Sequence, residues 1–147
     1  MILSGTEIRQ RLGKDSTQGH LVIQPYSDEC QQPASYDLRA DNDYLLARGT
    51  CMLISSLEWV ELPRGIAGTL RCRSSFGRRG VLLGAGFVDP GFRGKLTLCL
   101  TNFGNADIAI HRNDRVVQMV FHEVKGGEMI YQGRYQDSNG IVEARPA

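Results

Sequence analysis

Six glycines, Gly77, Gly80, Gly84, Gly86, Gly91 and Gly94, fall within eighteen consecutive residues, and no helix tolerates that density. Each glycine inside a helix costs roughly 0.5–1 kcal/mol relative to alanine, so the stretch reads as tight turns and close-approach backbone. Around it lie short β-type runs at residues 21–23, 44–46, 51–55, 58–62, 66–72, 81–83, 95–101, 107–111 and 116–124, each bounded by turn residues. Many short strands at such spacing predict an all-β sandwich, barrel or jelly roll. One helix signal precedes them. Ser4, three residues before Glu7, fits a capping box, and Ile8 with Leu12 forms an i, i+4 apolar pair.

The 147 residues suit a single domain spanning 1–147, long enough to bury a core. From about residue 125 the chain turns polar and glycine-bearing with few apolar anchors, so this tail is expected to be mobile. Lys and Arg number 17 against 16 Asp and Glu, a net charge of +1. That balance gives no global field for nucleic acid or for an anionic membrane, so any anion site must be local. No run approaches the roughly 18 apolar residues of a membrane span. Residues 1–15 hold no signal-like apolar stretch, which predicts a reducing, cytoplasmic setting. Cys30, Cys51, Cys72 and Cys99 form no C-x-x-C pair and no ligand spacing with His20, His111 or His122. At least three of the four are expected to be buried small hydrophobes.

Residues 95–101 alternate cleanly: Leu96, Leu98 and Leu100 share one strand face, and Lys95, Thr97, Cys99 and Thr101 the other. The leucine face should be core.

Four segments carry candidate chemistry. Residues 71–80 read Arg-Cys-Arg-Ser-Ser-Phe-Gly-Arg-Arg-Gly, a dense set of anion donors. Guanidinium forks match phosphate oxygens, hydroxyls add donors, and glycines let backbone N–H groups turn inward. A solvated basic loop is the competing reading; the adjacent serines favour phosphate. Within Gly84-Ala-Gly-Phe-Val-Asp-Pro-Gly-Phe-Arg-Gly94, the lone carboxylate Asp89 is either a turn residue or a general base held by a hairpin. Asp37, in Pro33-Ala-Ser-Tyr-Asp-Leu-Arg39, is either a strand-edge carboxylate or the support of a metal's water shell. Gln118 follows Asn113-Asp-Arg-Val-Val on a turn into a strand.

In this order and spacing the four segments resemble the dUTPase and dCTP deaminase superfamily over about residues 35–121, closest to archaeal-type dUTPases of the deaminase-like branch. The resemblance implies a distorted jelly roll, a homotrimer with interfacial active sites, and Mg²⁺ on the triphosphate. It places Arg73, Ser74, Ser75, Arg78 and Gln118 on the phosphates, with Arg78 counted among the catalytic groups, and Asp37 beneath the Mg²⁺ water shell. Phe92 would pack under the deoxyribose, the backbone at Gly86 would read the pyrimidine, and Asp89 would activate the water that attacks the α-phosphorus. Arg134 and Tyr135 would close over the nucleotide from a deaminase-type tail.

The two branches of that superfamily differ at one position. Deaminases carry a glutamate ten residues beyond the hairpin aspartate, where this chain has Cys99. A thiol, with a reference pKa of about 8.5, is a poor proton shuttle in place of a carboxylate. The expected activity is therefore hydrolysis of dUTP to dUMP and pyrophosphate. The alternatives are a dCTP deaminase or bifunctional enzyme, and a non-catalytic nucleotide-binding trimer.

Overall fold

Ser4 opens the helix as its spacing predicts. Its Oγ accepts the Glu7 backbone N–H at 3.2 Å and starts α1 (Gly5–Arg11) in the computed structural model, which describes residues 1–146. Glu7 does not complete a reciprocal box; its carboxylate instead takes Arg11 at 3.0 Å, one turn on.

Among the described residues eleven strands follow, with two short 3-10 turns, Ser16–Gln18 and Asp28–Cys30, and one α-helical turn. The first four are β1 (Val22–Gln24), β2 (Gln31–Gln32), β3 (Ser35–Arg39) and β4 (Tyr44–Leu46). Next come β5 (Cys51–Glu61), β6 (Ile66–Cys72), the helical turn α2 (Ser74–Gly77) and β7 (Val81–Gly84). The last are β8 (Phe87–Val88), β9 (Arg93–Asn102), β10 (Ile108–Ile110) and β11 (Arg115–Glu123). They form antiparallel sheets in the orders β2-β3-β11-β6-β8 and β1-β5-β9-β7, with β10 and β4 as a short pair. This is the expected all-β, distorted jelly-roll architecture with a short N-terminal helix.

Tyr36, Leu38, Met119 and Phe121 from one sheet and Ile54, Val60, Leu98 and Leu100 from the other are buried in a shared core. Each such side chain contributes about 1.5–3 kcal/mol. β9 keeps the predicted alternation, its leucines buried and its other face half-buried.

The runs at 51–55 and 58–62 are one strand, interrupted by a shift of register between Ser55 and Trp59. Side chains bridge the irregularity. Ser56 Oγ donates to the Glu58 carbonyl at 2.8 Å and accepts the Leu96 N–H at 2.8 Å. The bulge also turns Glu58 inward, where its carboxylate accepts the Arg39 backbone N–H at 2.9 Å and Arg39 Nε at 2.6 Å.

Burial of the cysteines differs from expectation. Cys30 alone is buried, Cys72 and Cys99 are half-buried and Cys51 is exposed, all four as free thiols. Cys51 and Cys99 lie on the polar side of β5 and β9, where strand parity and not hydrophobicity sets exposure.

Candidate functional site

Backbone geometry fixes the hairpin that follows β7. Leu70 N–H donates to the Gly86 carbonyl at 2.7 Å, tying the segment to β6. Gly86 has φ of 120°, and a Cβ there would lie 3.1 Å from Leu70 Cβ and 3.2 Å from its carbonyl oxygen, so no other residue fits comfortably. Six residues later Phe92 N–H donates to the Asp89 carbonyl at 3.2 Å across Pro90 and Gly91, with Gly91 at φ 83°. That is a type II turn, with proline and glycine where the turn demands them. Asp89 is thus a turn residue, and its exposed carboxylate is aimed by that turn.

Behind the hairpin lies a cavity of about 500 Å³ lined by Gly86, Asp89, Phe92, Thr97 and Tyr135 among others, with Leu53 in its wall. Phe92 is 7% exposed and meets the Tyr131 ring edge-on at 5.7 Å. Asp89 is the one carboxylate among the lining residues, and it also borders a second cavity of about 530 Å³ beside Pro90 and residues 124–131.

A basic cluster gathers where β6 leaves its sheet. Arg73 N–H donates to the Val116 carbonyl at 3.1 Å, and Arg73 Nη1 to the Arg115 carbonyl at 3.1 Å, so the arginine is held against β11. Phe76 is buried beneath the turn, leaving Ser74, Ser75 and Arg78 exposed above it. One row across β3, β11 and β6 sets Asp37, Gln118 and Arg71 side by side. Asp37 is buried, and its one ladder partner is Gln118 of β11, because β2 covers β3 only at Ser35 and Tyr36. Its Oδ2 stands 3.0 Å from Arg73 Nε and 3.7 Å from Arg115 Nη1, close enough for charge pairing but without an aligned hydrogen bond. Burial pushes the Asp37 carboxyl above its ordinary pKa, and the two guanidiniums pull it only part of the way back.

These residues do not fit a resident magnesium ion. A divalent cation at Asp37 would face two guanidiniums at once, and no group of three His, Cys, Asp or Glu gathers elsewhere among the described residues.

The polar tail runs back along the hairpin. Tyr131 N–H donates to the Pro90 carbonyl at 2.7 Å, Asp137 N–H to Arg93 at 2.8 Å, and Lys95 N–H to Ser138 at 2.8 Å. Val142 N–H reaches Thr97 Oγ1 at 2.9 Å. Tyr135 lines the cavity, whereas the Arg134 guanidinium is turned away, donating to the carbonyls of Arg145 and Pro146.

Of the residues singled out in the sequence, Gly86, Asp89, Phe92 and Tyr135 share one cavity. Arg73, Ser74, Ser75, Arg78, Gln118 and Asp37 are not among its lining residues and form a separate cluster. Sequence reasoning missed Tyr131 and Thr97. Tyr131 sits in a segment without periodicity, and Thr97 was legible only as the polar face of β9.

Cys99 pairs in register with Gly84 on one side and Leu53 on the other. Its sulfur lies 3.3 Å from that of Cys51, and this hydrogen bond, followed by burial, pushes the Cys99 thiol pKa up. A neutral thiol is what the position offers.

The family model for dCTP deaminase-like domains matches residues 40–124. A dCTP deaminase of Thermococcus kodakarensis is 33% identical over 138 residues, covering 83% of this chain and 89% of the relative. A dUMP-forming dCTP deaminase of Aquifex aeolicus is 31% identical over 174 residues, covering 99% and 94%. Among solved structures the native EIAV dUTPase superposes with a TM-score of 0.63 at 18% identity, over 79% of this chain and 98% of that one. At that identity the likeness speaks for the fold.

Proposed function

Since the chain belongs to the dCTP deaminase-like family, we propose that it binds a pyrimidine deoxynucleoside triphosphate and hydrolyses dUTP to dUMP and pyrophosphate. The observation that carries this reading is the polar content of the cavity. Asp89 is the one carboxylate lining it; Cys99, between Gly84 and Leu53 in the ladder, is not a lining residue and offers a neutral thiol behind the Leu53 wall.

Hydrolysis asks for a positioned water, a base and neutralisation of the phosphate charge. Asp89 takes a proton from water as the water oxygen bonds to the α-phosphorus. The bond from that phosphorus to the bridging oxygen breaks, and pyrophosphate leaves. Arg73, Ser74, Ser75, Arg78 and Gln118 hold the phosphates and spread their charge. Deamination instead needs a group that passes a proton between water, the pyrimidine ring and the departing amine, and a thiol above its ordinary pKa serves that poorly.

A second reading, dCTP deamination, is favoured by the names of the relatives from Thermococcus kodakarensis and Aquifex aeolicus. Pyrophosphate and ammonia release from dUTP and dCTP separates the two.

The cavity and the basic cluster do not share lining residues within one chain, so a complete site takes the hairpin of one copy and the arginine turn of another. The expected assembly is a homotrimer near three times 16.3 kDa by light scattering. A fully active monomer contradicts the shared site.

Sugar selection follows from Phe92. Its buried ring forms the cavity wall, and packed beneath a deoxyribose it leaves no room for a 2′-hydroxyl. Wild type should strongly prefer dUTP to UTP, and Phe92→Ala should relax the ratio of their kcat/KM values. Unchanged discrimination in the variant removes Phe92 from the role.

A further inference from the structure

Two thiols face each other at the edge of the cavity wall, and hydrolysis uses neither. β5 and β9 pair with Cys51 opposite Thr101 and Leu53 opposite Cys99, so the two cysteines are diagonal neighbours on one face of the sheet. Their sulfurs are 3.3 Å apart. A disulfide bond is about 2.05 Å long, so the sulfurs need to close by little more than an ångström. Exposure divides their roles. Cys51 is open to solvent, and hydrogen bonds from the Cys99 thiol and the Thr101 hydroxyl draw its pKa below the ordinary thiol range. Cys99 lies half-buried behind it. Burial raises the Cys30 and Cys72 thiols, which makes both poor nucleophiles.

We propose that Cys51 and Cys99 form a reversible dithiol–disulfide pair, oxidised by peroxides, that controls the shape of the nucleoside cavity. The Cys51 thiolate attacks one peroxide oxygen, the O–O bond breaks, and hydroxide leaves, so that Cys51 becomes a sulfenic acid. Cys99 sulfur then bonds to Cys51 sulfur, the S–O bond breaks, and the departing hydroxide leaves as water with the Cys99 proton. Two electrons pass from the thiols to the peroxide, which ends as two waters. A small dithiol returns the pair to the reduced state by exchange.

The bond reaches the cavity through the ladder. Leu53, in the cavity wall, is the register partner of Cys99, and Gly84, its partner on the other side, leads directly into Ala85 and Gly86. A Cβ at Gly84 would lie 3.4 Å from Cys99 Sγ, so the sulfur borders the space beside the root of the hairpin, where a side chain would make contact. Drawing Cys99 towards Cys51 shifts that border. This consequence rests on the nucleotide-binding reading, whereas formation of the bond does not.

The test treats the full-length protein with hydrogen peroxide, alkylates the remaining thiols, and maps peptides by mass spectrometry. Affinity for a non-hydrolysable dUTP analogue is measured on the same samples before and after dithiothreitol. The expected result is loss of two of the four thiols, one intrachain link between the peptides carrying Cys51 and Cys99, and a several-fold fall in affinity, all reversed by dithiothreitol. Cys51→Ser should form no link and bind the analogue equally well with and without peroxide. Four intact thiols, a link between chains, or a Cys51 sulfinic acid overturns the pair. A correct link with unchanged affinity overturns control of the cavity. Reduced protein that does not bind the analogue at all defeats the nucleotide reading instead, and the peptide map still decides the thiol chemistry.

Discussion

Asp89→Asn is expected to lower dUTP hydrolysis by about 10²–10⁴-fold, the usual worth of a general base, while the nucleotide still binds. Asparagine keeps the size and the turn geometry: the Asp89–Phe92 hydrogen bond uses the backbone carbonyl, and Pro90 and Gly91 set the dihedrals. What disappears is the basic oxygen. The phosphates, on this account, are held by Arg73 and Arg78 in the separate cluster, so affinity for a non-hydrolysable dUTP analogue should stay close to wild type. Steady-state kinetics alongside calorimetric binding checks both halves. A variant that loses binding and turnover together places Asp89 in substrate binding and removes it as the base.

Glu58→Ala is expected to cost about 3–5 kcal/mol of stability, the range for removing one partner of a buried ion pair. Glu58 is fully buried, and its two oxygens accept the Arg39 backbone N–H and guanidinium across the β5 bulge. Truncation leaves the 15% exposed Arg39 side chain without its counter-charge, and leaves an unpaired N–H on β3 close to Asp37. Burial raises the Glu58 carboxyl pKa above its ordinary value, more than the Arg39 contacts offset. A raised folded-state pKa means stability that is full below the unfolded pKa and declines as pH rises through the folded one. Wild type should therefore lose stability relative to the uncharged, near-isosteric Glu58→Gln as pH is raised through that window. Denaturant unfolding of the three proteins at several pH values reads both effects; a cost below 1 kcal/mol for Glu58→Ala would show that the bulge holds without the pair.

The strands that alternate polar and apolar residues were legible in the sequence, because one face is core and the other is not. Residues 66–72 and 44–46 match β6 and β4, and β9 keeps its leucine face. β3 was not legible. Ser35, Tyr36, Asp37 and Leu38 are all buried, so period-two patterning vanishes, and two polar residues disguise a buried strand. The β5 bulge hid continuity for a related reason, since the Ser56 side chain carries its ladder to β9 while the Glu58 side chain turns to Arg39 of β3.

In the candidate site, the turn residues Gly86, Asp89 and Gly91 announced themselves through the backbone geometry they demand. The tail's docking did not, because its anchors are mainly backbone hydrogen bonds to Pro90, Arg93 and Lys95, which composition does not encode. Asp37 stood out in the sequence as a strand-edge or metal-shell carboxylate, but nothing local announced its burial. Its company of Arg73 and Arg115 is a product of sheet order, since both arginines are distant in sequence. The Cys51–Cys99 contact arises in the same way, from the register of β5 on β9.

The most direct measurement of the central claim is simultaneous assay of pyrophosphate and ammonia, with dUTP and dCTP each offered to wild type and to Cys99→Ala under reducing conditions. Both proteins should release pyrophosphate from dUTP at nearly equal rates, because attack at the α-phosphorus asks nothing of the strand beside the base, and neither should release ammonia from dCTP. Ammonia from wild type that Cys99→Ala abolishes would identify the thiol as a proton shuttle and the protein as a dCTP deaminase.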